Sequence, residues 1–272
     1  MTEALIGLAA LLILAFMRIP IAIVMIIVGY AGMAWVLNPV AALYNVGQTA
    51  FDAAINYELS VVPLFVLMGN FVARARLAAE LYNASNAFLG HRKGGLAMAT
   101  VVACGGFSAI CGSSLATAAT MSKVAMPSMR RFNYSDALAT GSIAAGGTLG
   151  ILIPPSVILV IYGILTQQSI GKLFAAGILP GLVGVLFYLF AVRYTTWRRP
   201  ESGPAGERQD WNQRWRALSQ VWGVLMLFVL VMGGIYGGIF SPTEAAGIGA
   251  VGAFLFALFR RALSWKILFV IL

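Results

Sequence analysis

Apolar residues in this chain come in long unbroken runs, and the polar residues gather between them. Residues 4–17 form the first run, which stops at Arg18-Ile19-Pro20; residues 21–37 form the second, which stops at Asn38-Pro39. Residues 40–58 are mixed and include Asp52 and Glu58, and residues 59–73 run apolar up to Arg74 and Arg76. Residues 77–90 set Leu77, Leu81 and Phe88 at near-helical spacing. That spacing fits either an amphipathic helix lying in a membrane plane or a connecting helix at the surface. Residues 173–192, 221–240 and 245–259 are further apolar runs. The last two are joined by Ser241-Pro242-Thr243-Glu244, a capping-box pattern with proline in the first turn, whose plain reading is helix initiation. The runs predict an all-α polytopic membrane protein. The first is about 21 Å long as a helix, short for a bilayer core of about 30 Å. No basic segment precedes it, so it is expected to belong to the mature protein rather than to a signal peptide.

Two stretches are interrupted where a plain span would not be. Residues 94–126 are apolar yet dense in Gly, Ser and Thr around Gly105-Gly106-Phe107-Ser108-Ala109-Ile110-Cys111-Gly112-Ser113-Ser114. Glycines let the chain turn and bare its backbone, and bare backbone at membrane depth is tolerable only inside protein or along a cavity. Free carbonyls there suit a hard cation such as Na⁺, and helix N-termini suit a carboxylate. Ser113, Ser114 and Thr117 would add hydroxyls. The alternative is that small residues only let helices pack closely. Residues 137–165 are broken by Gly146-Gly147-Thr148 and by Pro154-Pro155. Each proline costs about 3 kcal/mol in a helix interior. This break reads either as an unwound segment that coordinates a cation or as a passive kink.

Charge then sets the topology. Of 272 residues, 60% are apolar and only 10% charged. A soluble domain carries about 25% charged residues, so that class is excluded. Lys+Arg outnumber Asp+Glu 18 to 9, and the excess lies between apolar runs. The positive-inside rule accounts for it better than nucleic-acid binding does. The linker 193–216, with six arginines, is placed in the cytoplasm. Counting back from it puts Arg130, Arg131, Arg92, Lys93, Arg74, Arg76 and Arg18 on the same side, provided that 94–126 enters and leaves on one face. Glu3 with the N-terminus, Asp52 and Glu58 then fall in the periplasm, and Lys172 is the main exception. A re-entrant hairpin of two half-length helices is therefore predicted at 94–126; two full crossings would fit the charges, but about 33 residues is short for them. Five crossings before the linker make any second copy inverted, which is the plan of secondary transporters. The expected organisation is a first repeat over 1–192, the basic cytoplasmic linker 193–216, and the start of an inverted second repeat over 217–272.

Other residues add less. His91, beside Arg92 and Lys93, reads as a solvated interfacial residue, and Cys104 and Cys111 as small packing residues. There is no phosphate-binding loop, zinc spacing or Ser/His/Asp set, and the spans hold almost no acids or histidines for intramembrane catalysis.

The run Gly105–Ser114 quoted above, with Ala118-Ala119-Thr120-Met121 and Pro127-Ser128-Met129-Arg130-Arg131 after it, closely resembles the large membrane subunit of TRAP transporters (tripartite ATP-independent periplasmic transporters, C4-dicarboxylate type). So do Ala139-Thr140-Gly141, the Gly146–Ser156 stretch, Tyr162-Gly163-Ile164-Leu165-Thr166 and Ala176-Gly177-Ile178-Leu179-Pro180-Gly181. Gly234-Ile235-Tyr236-Gly237-Gly238-Ile239-Phe240-Ser241-Pro242-Thr243-Glu244 matches the start of that family's second repeat. The resemblance implies an elevator-type, Na⁺-coupled importer of the bacterial inner membrane, not an enzyme, with no cofactor besides the coupling ion. It implies two protein partners: a periplasmic binding protein that delivers a carboxylate such as a C4-dicarboxylate, and a small four-helix membrane subunit that braces the large one. Carried over by position, Ser108, Gly112, Gly146, Gly147 and Thr148 would face Na⁺, and Ser113, Ser114, Thr117, Pro154 and Pro155 the substrate. Members of that family continue through a complete second repeat, with its own half of the site. A truncated, non-transporting scaffold and a single-component anion/Na⁺ symporter are the other two readings.

Overall fold

The computed structural model describes residues 2–263. Over these residues the chain forms thirteen α-helices and no strand. The first compact unit, Met1–Tyr57, holds α1 (Thr2–Phe16), α2 (Ile21–Val36) and α3 (Pro39–Ile55). Asn38 caps α3, its side-chain oxygen accepting from the Ala41 N–H at 2.7 Å, and Pro39 supplies the first helical residue, where no N–H is needed. The mixed stretch 40–58 is therefore mostly helix. In the same unit α1 packs on α2 and α2 on α3.

The second compact unit, Glu58–Leu272, is built around one central helix. It contains α4 (Val61–Arg74), α5 (Leu77–Leu89), α6 (Gly95–Cys111), α7 (Ser114–Arg131), α8 (Asp136–Thr148), α9 (Val157–Thr166), α10 (Ile170–Arg198), α11 (Trp211–Gln220), α12 (Trp222–Tyr236) and α13 (Pro242–Phe259). Small or apolar on every side, α6 is buried almost along its whole length, as a helix surrounded by others must be. It packs against α4, α5, α7, α8, α10 and α12.

Among the described residues, three helical segments are long and apolar enough to cross a membrane unaided: Tyr57–Arg74, Ile170–Arg198 and Pro242–Phe259. A fourth is the pair α11 and α12, bent by 43° at Val221. The hairpin and the broken helix appear as separate helices, with breaks at Gly112-Ser113 and at residues 149–156.

Three sequence expectations shift. The hairpin arms have 17 and 18 residues, the second running through Pro127 to Arg131. They are about 25–27 Å long, so they are not half-length. The linker is shorter than 193–216, because α10 extends to Arg198 and α11 begins at Trp211 on an Asp210/Gln213 capping box. Residues 77–90 are more enclosed than a surface helix: Leu77, Ala78, Leu81, Tyr82, Ala84 and Ala87 are buried and Asn83 is exposed, with α5 packed against both α6 and α11. The compact units divide at Tyr57/Glu58, and within the second of them α13 packs along α4. Gly249 permits this by receiving the Met68 thioether where a Cβ would stand. Arg260, at the end of α13, pairs with Glu80 of α5 and donates to the Ala75 carbonyl at 3.2 Å. The final stretch of the expected second repeat, 264–272, lies outside the described residues.

Candidate functional site

The two interruptions meet. Gly112, at the turn between α6 and α7, has φ +62°, a conformation that glycine adopts without strain. Its carbonyl accepts a hydrogen bond from the N–H of Val157, the first residue of α9, at 3.2 Å. A Cβ on Gly112 would come within 2.5 Å of the Pro155 carbonyl oxygen. The hairpin tip and the Pro154-Pro155 segment are thus in direct backbone contact. The broken helix is seated on the hairpin by its own glycines. Gly146 faces the Cys104 thiol, Gly147 faces Ala118 and the Ser114 carbonyl, and Gly150 faces the Ser113–Ser114 peptide at 2.9 Å. On the other side Gly177 and Gly181 of α10 admit the Leu152 carbonyl and the Ile153 side chain. The cysteines are packing residues as expected: both are free thiols, Cys104 against Gly146 and Cys111 against Gly69.

The same local geometry starts α7 and α9. Ser113 (φ −128°, ψ 124°) and Ser156 (φ −125°, ψ 124°) are both extended N-caps. The Ser113 hydroxyl accepts from the Ala116 N–H and the Ser156 hydroxyl from the Leu159 N–H, each at 3.4 Å. Ser156 also donates to the Ile151 carbonyl at 2.9 Å, tying the two sides of its break. Two positive helix ends therefore start within a residue of the Gly112–Val157 bond, next to the carbonyl ends of α6 and of the turn after α8. Helix N-termini favour anions and carbonyl ends favour cations, so this one place offers both.

Side chains sort around it. Ser108, one turn below the tip, is fully buried and its hydroxyl meets no partner among the described residues. An unpaired buried hydroxyl costs about 1–3 kcal/mol. Thr117 is buried, donating to the Ser113 carbonyl at 2.8 Å. Pro154 and Pro155 are buried at the junction, and Ser114 opens α7. Thr148 departs from the rest. Its hydroxyl donates to the Ala145 carbonyl at 2.7 Å and lies 2.8 Å from the Tyr188 hydroxyl of α10, so its side chain is turned from the tip. Sequence reasoning left out Ser156, although a serine directly before an apolar run is a helix-start signal.

The opposite end of the hairpin is fastened too. The Tyr134 hydroxyl accepts from the Leu96 N–H at 3.1 Å and donates to the Pro204 carbonyl at 2.9 Å. Gly94 N–H donates to Gly203 at 2.8 Å and Ser135 N–H to Ser202 at 3.0 Å. Both outer ends of the hairpin thus lie together with the linker. His91 belongs to this end; burial lowers its pKa first, and the cations Arg214, Arg92 and Arg208 lower it further.

A family model described as "Tripartite ATP-independent periplasmic transporter, DctM component" matches residues 8–272. The chain belongs to the DctM family. The C4-dicarboxylate TRAP transporter large permease protein DctM of Vibrio cholerae is 40% identical over 221 residues, 80% of this chain and 48% of the relative. The isethionate TRAP transporter permease protein DctMQ of Oleidesulfovibrio alaskensis is 38% identical over 223 residues, 80% of this chain and 34% of that protein. The ectoine TRAP transporter large permease protein TeaC of Halomonas elongata is 40% identical over 206 residues, 75% of this chain and 48% of the relative. This chain spans about half the length of the curated DctM relatives it matches. DctM proteins are transporter permeases rather than an enzyme family.

Proposed function

We propose that this chain supplies one half of the transport site of a TRAP permease that carries a small organic acid, a C4-dicarboxylate or similar carboxylate, inward with Na⁺. The observation that carries this reading is the 3.2 Å bond between the Gly112 carbonyl and the Val157 N–H, because it brings two helix N-termini and two carbonyl ends to a single place. The Ser108 hydroxyl, with carbonyl oxygens of Gly112, Gly146 and Gly147, would hold the cation; hard cations take oxygen ligands of this kind. The N-terminal turns of α7 and α9, with Ser113, Ser114 and Thr117, would face the carboxylate. The bound cation would supply positive charge beside that anion.

In this reading the chain sits in the bacterial inner membrane, with its N-terminus periplasmic and residues 199–210 cytoplasmic. The word tripartite in the family description supports two partners, a periplasmic substrate-binding protein and a small membrane subunit. Hairpin and broken helix, bonded tip to tip and seated on α10, would travel as one body in an elevator motion.

The test is a cation-specific thermal shift on the purified chain. NaCl is expected to raise the unfolding temperature where equal KCl or choline chloride does not, and Ser108→Ala is expected to abolish the difference. Stabilisation by a ligand at 100 times its Kd is about 2.7 kcal/mol. Identical curves in the three salts would leave close packing as the purpose of the small residues.

A further inference from the structure

A groove separate from the junction lies at the basic end. Between the loop before α6 and the C-terminal half of α10 lies an open groove of about 540 Å³. Its floor is apolar and includes Met98, Leu186 and Phe190; its rim carries Arg92, Lys93 and Arg193, and its lining includes no acid. The apolar floor is left uncovered: Leu186 is 55% and Phe190 67% exposed. The α10 helix carries no charge from residue 173 to residue 192, and Arg193 is the first cation after that stretch. The three cations therefore mark the edge of the hydrocarbon level, while Leu186 and Phe190 stand one to two turns deeper, at the depth of lipid chains. The positive end of α6, which starts at Gly95 between Lys93 and Met98, lies at the same rim.

We propose that this groove is a binding site for an anionic glycerophospholipid, its phosphate held by Arg92, Lys93 and Arg193 and one acyl chain laid over Leu186 and Phe190. A free anion would satisfy the rim but leave the floor bare. A protein helix would cover the floor, yet it would have to bring its own acids to a rim of three cations. An anionic lipid does both, and basic pockets between membrane helices on the cytoplasmic side are suited to such head groups. The site is distinct from the junction of the two breaks and does not depend on the transport reading.

The test is lipid retention by the whole chain in nanodiscs of mixed phosphatidylglycerol and phosphatidylcholine, read by mass spectrometry of the co-purified lipid. Selective retention of phosphatidylglycerol is expected, unaffected by inorganic phosphate at the same concentration. Arg92→Gln/Lys93→Gln/Arg193→Gln is expected to lower the relative affinity on the order of 100-fold. Leu186→Trp, which fills the groove without changing charge, should also displace the lipid. Arg130→Gln/Arg131→Gln, which removes two cations elsewhere, should leave retention intact. Equal retention of both lipids by the unmodified chain overturns the proposal without any variant. So does full competition by inorganic phosphate, an unchanged triple variant, or equal loss in the Arg130/Arg131 control.

Discussion

Replacing Gly112 with alanine probes the contact on which the functional reading rests. Two effects add. A left-handed φ costs an L-residue about 1–2 kcal/mol. The new Cβ would also stand 2.5 Å from the Pro155 carbonyl oxygen, a backbone atom that cannot swing aside. The tip must then retreat, and the Gly112–Val157 hydrogen bond stretches or breaks, which costs about 1–3 kcal/mol for a buried backbone pair. The sum is about 2–5 kcal/mol. Gly141→Ala is the matched control. Gly141 lies inside α8, and a Cβ there meets nothing within 4 Å, so better helix propensity should stabilise by about 0.5–1 kcal/mol. Equilibrium unfolding in mixed micelles, followed by far-UV circular dichroism, measures both variants. The Na⁺-specific shift proposed above should vanish in Gly112→Ala and persist in Gly141→Ala. If the two variants unfold alike, hairpin and broken helix are not in backbone contact, and the proposed joint site goes with it.

Other outcomes follow from single contacts. Arg260→Met should destabilise by about 1–3 kcal/mol, because it strands Glu80 and the Ala75 carbonyl in a half-buried corner; a change below 0.5 kcal/mol in the same unfolding assay would show the pair to be idle. Without Na⁺, Ser108→Ala should be neutral or slightly stabilising, since the hydroxyl it removes has no partner among the described residues; a large loss of stability would reveal an internal bond there. Thr148→Val should leave the Na⁺ shift unchanged, because its hydroxyl is engaged with Ala145 and Tyr188; loss of the shift would return Thr148 to the cation site. His91 has a lowered pKa in the folded chain. As pH falls below about 6.5 the unfolded chain takes up a proton that the folded chain resists, so stability should decline there and be flat above. In His91→Gln that decline should shrink, and an identical pH profile would clear His91 of any part in it.

The breaks could be placed from the sequence because glycine and proline act locally. Pro154-Pro155 cannot continue a helix whatever surrounds it, and Gly112-Ser113-Ser114 joins a turn former to a cap. The capping box at Ser241 was equally local, and it forms with both hydrogen bonds, 2.8 Å from the Ser241 N–H to Glu244 and 3.3 Å back. What depended on distant partners was not legible. The burial of α5 comes from α6 and α11 closing over a helix whose own pattern also fits a surface. The orientation of Thr148 is set by Tyr188, forty residues away, and no spacing rule connects them. Arm length was not legible either, because the second arm runs past residue 126, through Pro127, to Arg131. Pro127 lies within the last turns of α7, where losing one bond is tolerable.

Fastening at both extremities has a mechanical result. Tyr134 cinches the wide end of the clip to residues 96 and 204, and the Val157 amide pins its narrow end. Both ends of the two legs are tied, so under the proposed function an ion or acid held at the tip would shift the hairpin as a unit rather than bend one leg. In that reading the short strap around Pro204 would have to yield, and a cross-link placed there would hold the hairpin still.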